Sequence, residues 1–304
     1  MNESLQHSSA RDSRTALVLG GGGSAGNAWL IGVVAGLVEA GLDVTRADLI
    51  IGTSAGSTAA AQITGAPPAG LLADILAAVP HSQTGAAGSG RGPAPTTSVT
   101  SQMETTGAII AAAADAADMR RRLGAWALAT DGASNVAAQT RWRTTVAARL
   151  PEQRWPQQRV LITAVNAQTG EPTVFDRHSG VELADAVAAS CSSGFAYRIG
   201  DSRYIDGGYR RNENADLAAE YARVLVLSPF GGRSRHPQDW GMDLATQLAE
   251  LRASGSRVET IFPDGASNAA FGDNMMDLSR RAPAAQAGFE QGRARAEKLT
   301  EFWH

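Results

Sequence analysis

Ser54 stands in Gly52-Thr53-Ser54-Ala55-Gly56, directly after the apolar run Leu49-Ile50-Ile51 and before a helix-forming stretch. A strand, a tight turn and a helix with a serine at the turn make a nucleophile elbow. Its strained backbone aims the hydroxyl outward for attack on an acyl carbon. Gly52 and Gly56 supply the small flanks that let strand and helix come close. A second glycine-rich turn, Gly20-Gly21-Gly22-Gly23, follows the apolar run Ala16 to Leu19. Gly21, Gly23 and Gly26 satisfy the dinucleotide spacing G-x-G-x-x-G, but that reading needs an acidic residue at the end of the second strand to hold a ribose. The second strand ends instead in Ile51-Gly52-Thr53-Ser54. Read as backbone N–H groups exposed near a helix N-terminus, the same glycines stabilise a negative oxygen, and one reaction then explains both loops.

An attacking serine needs a base to take its proton. Of the five histidines, His7 and His304 lie near the termini, His81 opens a polar loop and His178 lies in a turn beyond a hairpin. His236, in the loop Gly231 to Asp239, would complete a Ser54, Asp206, His236 order like that of α/β-hydrolases. Asp206 ends an apolar strand and is followed by Gly207-Gly208, a turn in which its carboxylate can face a cleft. It is therefore also a candidate base acting directly on Ser54. On the residues alone, triad and dyad both stand.

The elements that position these groups are legible as an alternation. Ala16 to Leu19 is a strand, Trp29 to Ala40 a helix closed by Gly41, Asp48 to Ile51 a strand and Ala55 to Ile63 a helix. Apolar strands without polar alternation predict a mainly parallel sheet covered on both faces. Pro80 to Thr106 is rich in Gly, Ser, Thr and Pro and reads as a long flexible loop, a lid or a disordered segment. Helices follow over Ile109 to Ala129 and Asn135 to Leu150, with Trp126 and Trp142 as packing residues. Arg159 to Val165 and Pro172 to Phe175 form a hairpin, Leu183 to Ser190 a helix, and a second hairpin delivers Asp206. Arg223 to Leu227 and Val258 to Phe262 are further strands, and Ala284 to Trp303 is a charged, packed terminal helix.

The chain has 304 residues, 43% of them hydrophobic, a net charge of -3 and a pI near 6.0. Its length suits one large α/β domain, and the absence of a Lys/Arg block argues against a nucleic-acid partner. Cys191 is the only cysteine, so an intrachain disulfide is impossible and a cysteine-based metal site is unsupported. Residues 1–14 are polar, read as a disordered lead-in rather than a secretory signal, and an intracellular, cytoplasmic location is the expectation. The apolar stretch near Ala108 to Ala114 is too short to span a bilayer, which leaves peripheral contact with a membrane open. No metal signature is present, and no cofactor is expected.

Glycine-rich loop, serine elbow and Asp206-Gly207-Gly208 occur in an order that resembles the patatin-like phospholipases, a family of serine acyl hydrolases with a Ser-Asp dyad. The resemblance runs from about Ala16 to about Leu227 and includes the small-residue block Ala188-Ala189-Ser190. It implies a three-layer α/β/α sandwich spanning residues 15–304 as one domain, with lipid or phospholipid esters as substrates. It assigns the nucleophile to Ser54, the aspartate to Asp206 and the oxyanion hole to Gly21, Gly22 and Gly23. Two positions depart from the family pattern. Ala25 stands where the loop usually carries Arg or Lys, which removes a partner for an anionic group on the substrate. Asn212-Glu213-Asn214 replaces the usual Asn-x-Pro. A fold-retaining lipid-binding protein without turnover is the non-catalytic alternative.

Overall fold

In the structure, a computed structural model, residues 14–78 and 99–304 are described. The proposed lead-in, up to residue 13, lies outside them, while the carbonyl of Arg14 already accepts the N–H groups of Ala222 and Arg223. The chain runs β1 (Thr15–Leu19), α1 (Gly23–Glu39), β2 (Leu49–Gly52), α2 (Ala55–Gly65) and α3 (Pro68–Ala77). After the undescribed stretch come α4 (Val99–Ala112), α5 (Ala116–Leu128), α6 (Asp131–Ser134) and α7 (Val136–Ala147). Then follow β3 (Arg159–Asn166), β4 (Pro172–Phe175), α8 (Leu183–Ser190), β5 (Tyr197–Ile199) and β6 (Ser202–Asp206). The last elements are β7 (Arg223–Leu227), α9 (Leu244–Ala253), β8 (Arg257–Ile261), α10 (Gly265–Phe271) and α11 (Arg281–Trp303).

All eight strands join one sheet, with β1, β2, β3, β7 and β8 parallel and β4, β5 and β6 joining antiparallel. Alternate residues of the buried strands serve opposite faces. Leu17, Leu19, Ile50, Val160 and Leu225 pack under a layer that includes Trp29, Leu30, Val187 and Leu299 from α1, α8 and α11. Ala16, Val18, Leu49, Ile51 and Val224 pack against Ala215, Ala218, Leu244, Leu248 and Leu251 on the other side. The mainly parallel sheet covered on both faces, read from the apolar runs, and the three-layer sandwich implied by the resemblance are the observed fold.

Two sequence readings are corrected. Of the loop expected over Pro80 to Thr106, residues 80–98 lie outside the described structure and the remainder is helical, because α4 already begins at Val99. Thr105 and Thr106 turn their hydroxyls back onto the carbonyls of Ser101 and Gln102, so their polar groups are satisfied within a helix and do not force a loop. The single helix read from Ile109 to Ala129 is two. It breaks before Asp115, whose side chain accepts the Asp118 N–H and caps α5.

The helices α1 and α11 touch along their backbones. A Cβ on Gly32 or Gly36 would fall 2.1 Å from the carbonyl oxygen of Ala285 or Phe289, respectively. One on Gly292 would fall 2.3 Å from that of Val33. Trp29, fully buried, locks the same contact by donating to Ser267 and Gln291. Gly32→Leu therefore forces the helices apart and is expected to destabilise the protein by about 3 kcal/mol in denaturant melts. Gly70→Ala in α3, where a Cβ meets nothing within 4 Å, is the contrast and should stabilise by roughly 0.5–1 kcal/mol.

Candidate active site

The register of β3 explains how Ser54 and Asp206 meet. Ile162 pairs with Gly52 of β2 and with Phe175 of β4, so those two strands occupy opposite edges. Ala164 pairs with Thr173 of β4 and with Asp206 of β6, so β6 takes the same edge as β2. Strand β2 runs parallel to β3 and β6 antiparallel to it, and their C-terminal ends converge. Beyond those ends, Ser54 Oγ donates to Asp206 Oδ2 at 2.7 Å.

Ser54 carries φ 52° and ψ −116°, one of two positive φ values at non-glycine residues in the described chain. Such a backbone persists only where its surroundings over-determine it. Here Ser190 Oγ accepts the Ser54 N–H at 2.9 Å, which gives the small-residue block before the aspartate a physical role. The Ser54 carbonyl accepts from Ser57 Oγ at 2.6 Å, from Cys191 Sγ at 3.2 Å and from the Ser57 N–H at 2.9 Å. The elbow glycines are steric requirements. A Cβ on Gly56 would lie 1.9 Å from Leu19 O, and one on Gly52 2.6 Å from Ser57 Cα. Burial pushes the Cys191 thiol up to about 11, so it remains a protonated donor.

Asp206 is 7% exposed. Its Oδ1 accepts the Gly208 N–H at 2.8 Å, and among the described residues no cation balances its charge. Burial raises its pKa to about 6, against the lowering effect of the Gly208 and Ser54 donors. A carboxylate so placed is a stronger base than an ordinary aspartate and is still ionised at neutral pH. His236 is not brought to this pair. Its Nδ1 lies 3.1 Å from Ser234 Oγ, and burial followed by the charges of Arg235 and Arg120 pushes its pKa down to about 4.

The glycine loop leaves β1 beside the elbow, since Leu19 pairs with Gly52. A Cβ on Gly21 would lie 3.7 Å from Ser54 Cβ. The three glycines differ in what they offer. The Gly21 N–H already donates to Asn212 O at 3.1 Å, whereas those of Gly22 and Gly23 have no partner among the described residues. Ala55 also has an unpartnered N–H at the start of α2. The residue after an elbow nucleophile is a usual oxyanion donor. The elbow motif itself carries this donor, since Ala55 directly follows Ser54, whereas the glycine loop alone points only to Gly21, Gly22 and Gly23.

Asn214 explains the second departure from the family pattern. It has φ 56°, where proline cannot go, and its Nδ2 reaches Thr53 Oγ1 at 2.9 Å, Thr163 Oγ1 at 3.2 Å and Arg211 O at 2.6 Å. This buried knot ties the end of β2 to β3 and to the turn after Asp206. Glu213, 2% exposed, accepts from Ser228 Oγ and Asn212 Nδ2, both at 2.7 Å, and so anchors the residue whose carbonyl holds Gly21. Among the described residues, no group of three or more His, Cys, Asp or Glu is placed to hold a metal ion.

A family profile described as patatin-like phospholipase matches residues 17–219, more than half of the chain. No curated protein matches it. Among solved structures, VipD from Legionella pneumophila is similar over 94% of this chain and 67% of its own, with 13% identity and a TM-score of 0.41. The type III effector protein ExoU is similar over 94% of this chain and 53% of its own, with 14% identity and a TM-score of 0.36.

Two outcomes follow from the geometry. If Asp206 is the base for Ser54, kcat/KM for an ester should fall about tenfold per pH unit below pH 6 and level off above pH 7, because only its ionised form accepts the proton; a pH–rate profile reads this directly. Asn214→Pro, which restores the family residue, should destabilise the fold by roughly 3 kcal/mol in denaturant melts.

Proposed function

Because the chain belongs to the patatin-like phospholipase family, we propose that it is a lipid acyl hydrolase working through an acyl-enzyme on Ser54. Asp206 takes the hydroxyl proton as Ser54 Oγ attacks the ester carbonyl. The N–H groups of Gly22 and Gly23, joined by that of Ala55, hold the oxyanion. The proton on Asp206 passes to the departing alcohol as the carbon–oxygen bond breaks. A water molecule then gives a proton to Asp206 as it attacks the acyl carbon, and Asp206 returns that proton to Ser54 Oγ as the acyl-enzyme bond breaks and the fatty acid leaves.

The observation that carries this reading is the direct 2.7 Å bond from Ser54 Oγ to Asp206 Oδ2, with no imidazole between them. A dyad of this kind asks one carboxylate to serve as base and acid in turn, and the raised pKa of Asp206 suits both steps. Esters are favoured over amides, since an alkoxide is the better leaving group. Among the described residues no helix is long and apolar enough to cross a membrane, and the enzyme is read as meeting lipid at a surface.

Hydrolysis of p-nitrophenyl esters of increasing acyl length tests the assignment. Ser54→Ala and Asp206→Ala should each lower kcat/KM roughly a thousandfold or more, while His236→Ala stays within about twofold of the parent. A loss in His236→Ala equal to that in Ser54→Ala would replace the dyad by a triad. Failure of a fluorophosphonate probe to label Ser54 would point to the non-catalytic lipid-binding reading.

A further inference from the structure

The glycine loop has no basic residue of its own, and the structure shows that it has no room for one. Ala25 is fully buried, and its N–H donates to Met275 O at 2.9 Å. The segment that covers it leads into Arg281, the first residue of α11. Arg281 Nη1 donates to Ser24 O at 2.9 Å and to Asn27 Oδ1 at 3.0 Å, with Ser24 Oγ at 3.4 Å. Asn27 Nδ2 in turn reaches Ala55 O at 3.3 Å. One side chain thus separates the Arg281 guanidinium from the backbone that follows Ser54.

All of these contacts fall on a single nitrogen and on neutral acceptors. Burial pushes the Arg281 pKa down, and the one charge among the described residues that adds to it is another cation, Arg149. Arg149 is exposed, lies 5.9 Å above the Trp142 ring and also acts electrostatically on Cys191, whose thiol holds the Ser54 carbonyl. The two arginines are linked through Asn27 and Gln62, since Asn27 Nδ2 donates to Gln62 Oε1 at 3.0 Å and Gln62 Nε2 to the Arg149 carbonyl at 3.1 Å. With no acid acting on Arg281 among the described residues, the pair is repulsive and an anion relieves it. A guanidinium with a free edge suits a phosphate oxygen pair.

We propose that Arg281, assisted by Arg149, binds the phosphate group of a phospholipid substrate and so takes the place of the basic residue missing from the glycine loop. The assignment rests on the acyl hydrolase reading of Ser54 and narrows its substrate to esters that carry a phosphate. Dihexanoyl phosphatidate and dihexanoylglycerol share their acyl chains and differ in that group. The ratio of their kcat/KM values should fall at least tenfold in Arg281→Gln, which keeps a neutral donor towards Ser24, mainly through a higher KM for phosphatidate. Arg149→Ala should shift the ratio in the same direction, and Arg281→Lys should recover part of it. Equal losses on both substrates would make Arg281 a clamp between α1 and α11 and overturn the proposal. Calorimetric binding to Ser54→Ala separates this from a failure of the hydrolase reading, because it needs no turnover. Phosphatidate should bind at least tenfold more tightly than dihexanoylglycerol or inorganic phosphate, and Arg281→Gln in the same background should abolish the difference. Phosphatidate binding no tighter than inorganic phosphate would assign the arginines to the free ion and overturn the substrate role.

Discussion

The bond between Ser54 and Asp206 requires two strands that enter the same edge of β3 from opposite directions to stop within reach of each other. Strand β2 stops opposite Ile162 and β6 stops opposite Ala164, a separation of two residues or about 7 Å along the strand. A slip of one residue in β6 would turn Asp206 to the other face of the sheet. The gap between the strand ends interrupts the ladder and exposes polar groups to a dry interior. Thr53, Thr163 and Asn214 fill it, with Thr53 Oγ1 and Thr163 Oγ1 3.0 Å apart and Asn214 Nδ2 between them and the carbonyls of Gly207 and Arg211. Catalytic geometry and polar satisfaction are thus the same construction.

Two unfavourable features sit at this point. A left-handed backbone at a non-glycine residue costs on the order of 1–3 kcal/mol, and a carboxylate without a counter-cation resists burial. Neither relaxes, because the groups around them are short and fixed. Ser190, Ser57 and Cys191 hold the elbow from three directions. Asp206 is fixed through its backbone N–H on Ser192 O as well as through its side chain. Strand β2 is fully buried, and β1 and β7 are buried beyond their first residues, so the sheet that supplies most of the core is also the support of the strained turn. The strained turn is also the one that brings Ser54 Oγ to Asp206 Oδ2.

What the sequence made legible was whatever is repeated along the chain or crowded into a few residues. Apolar runs without alternation marked the parallel strands, and small residues around Ser54 marked the elbow. The site was legible as three separate loops. The edge of β3 taken by β6 was not, since pairing register is a long-range property of two hairpins and a crossover. The Ser/Thr content of 99–106 pointed to a loop, but hydroxyls that return to their own helix carbonyls leave helix formation intact. The glycine triplet looked uniform in sequence, yet one N–H is taken by Asn212 and two are free, a distinction that only the packing of Glu213 and Ser228 creates.

Residues beyond the family match complete the site they do not belong to by motif. Strand β7 pairs with β1 along its whole length, and Pro229, just past it, lies so close to Gly22 that a Cβ there would approach within 2.5 Å. Met275 takes the Ala25 N–H, and Met276, 53% exposed, places its sulfur 2.9 Å from where a Cβ on Gly23 would be. The two N–H groups proposed as oxyanion donors, those of Gly22 and Gly23, are therefore walled from outside by the Pro229 ring, the Met275 backbone and the Met276 side chain. The Ser54 to Asp206 pair is carried by the matched segment, while the walls around the proposed oxyanion donors come from the remainder. Differences in acyl preference between chains that share the elbow and the Asp-Gly-Gly turn can arise there, because a changed wall moves the donors and leaves the Ser54 to Asp206 bond in place.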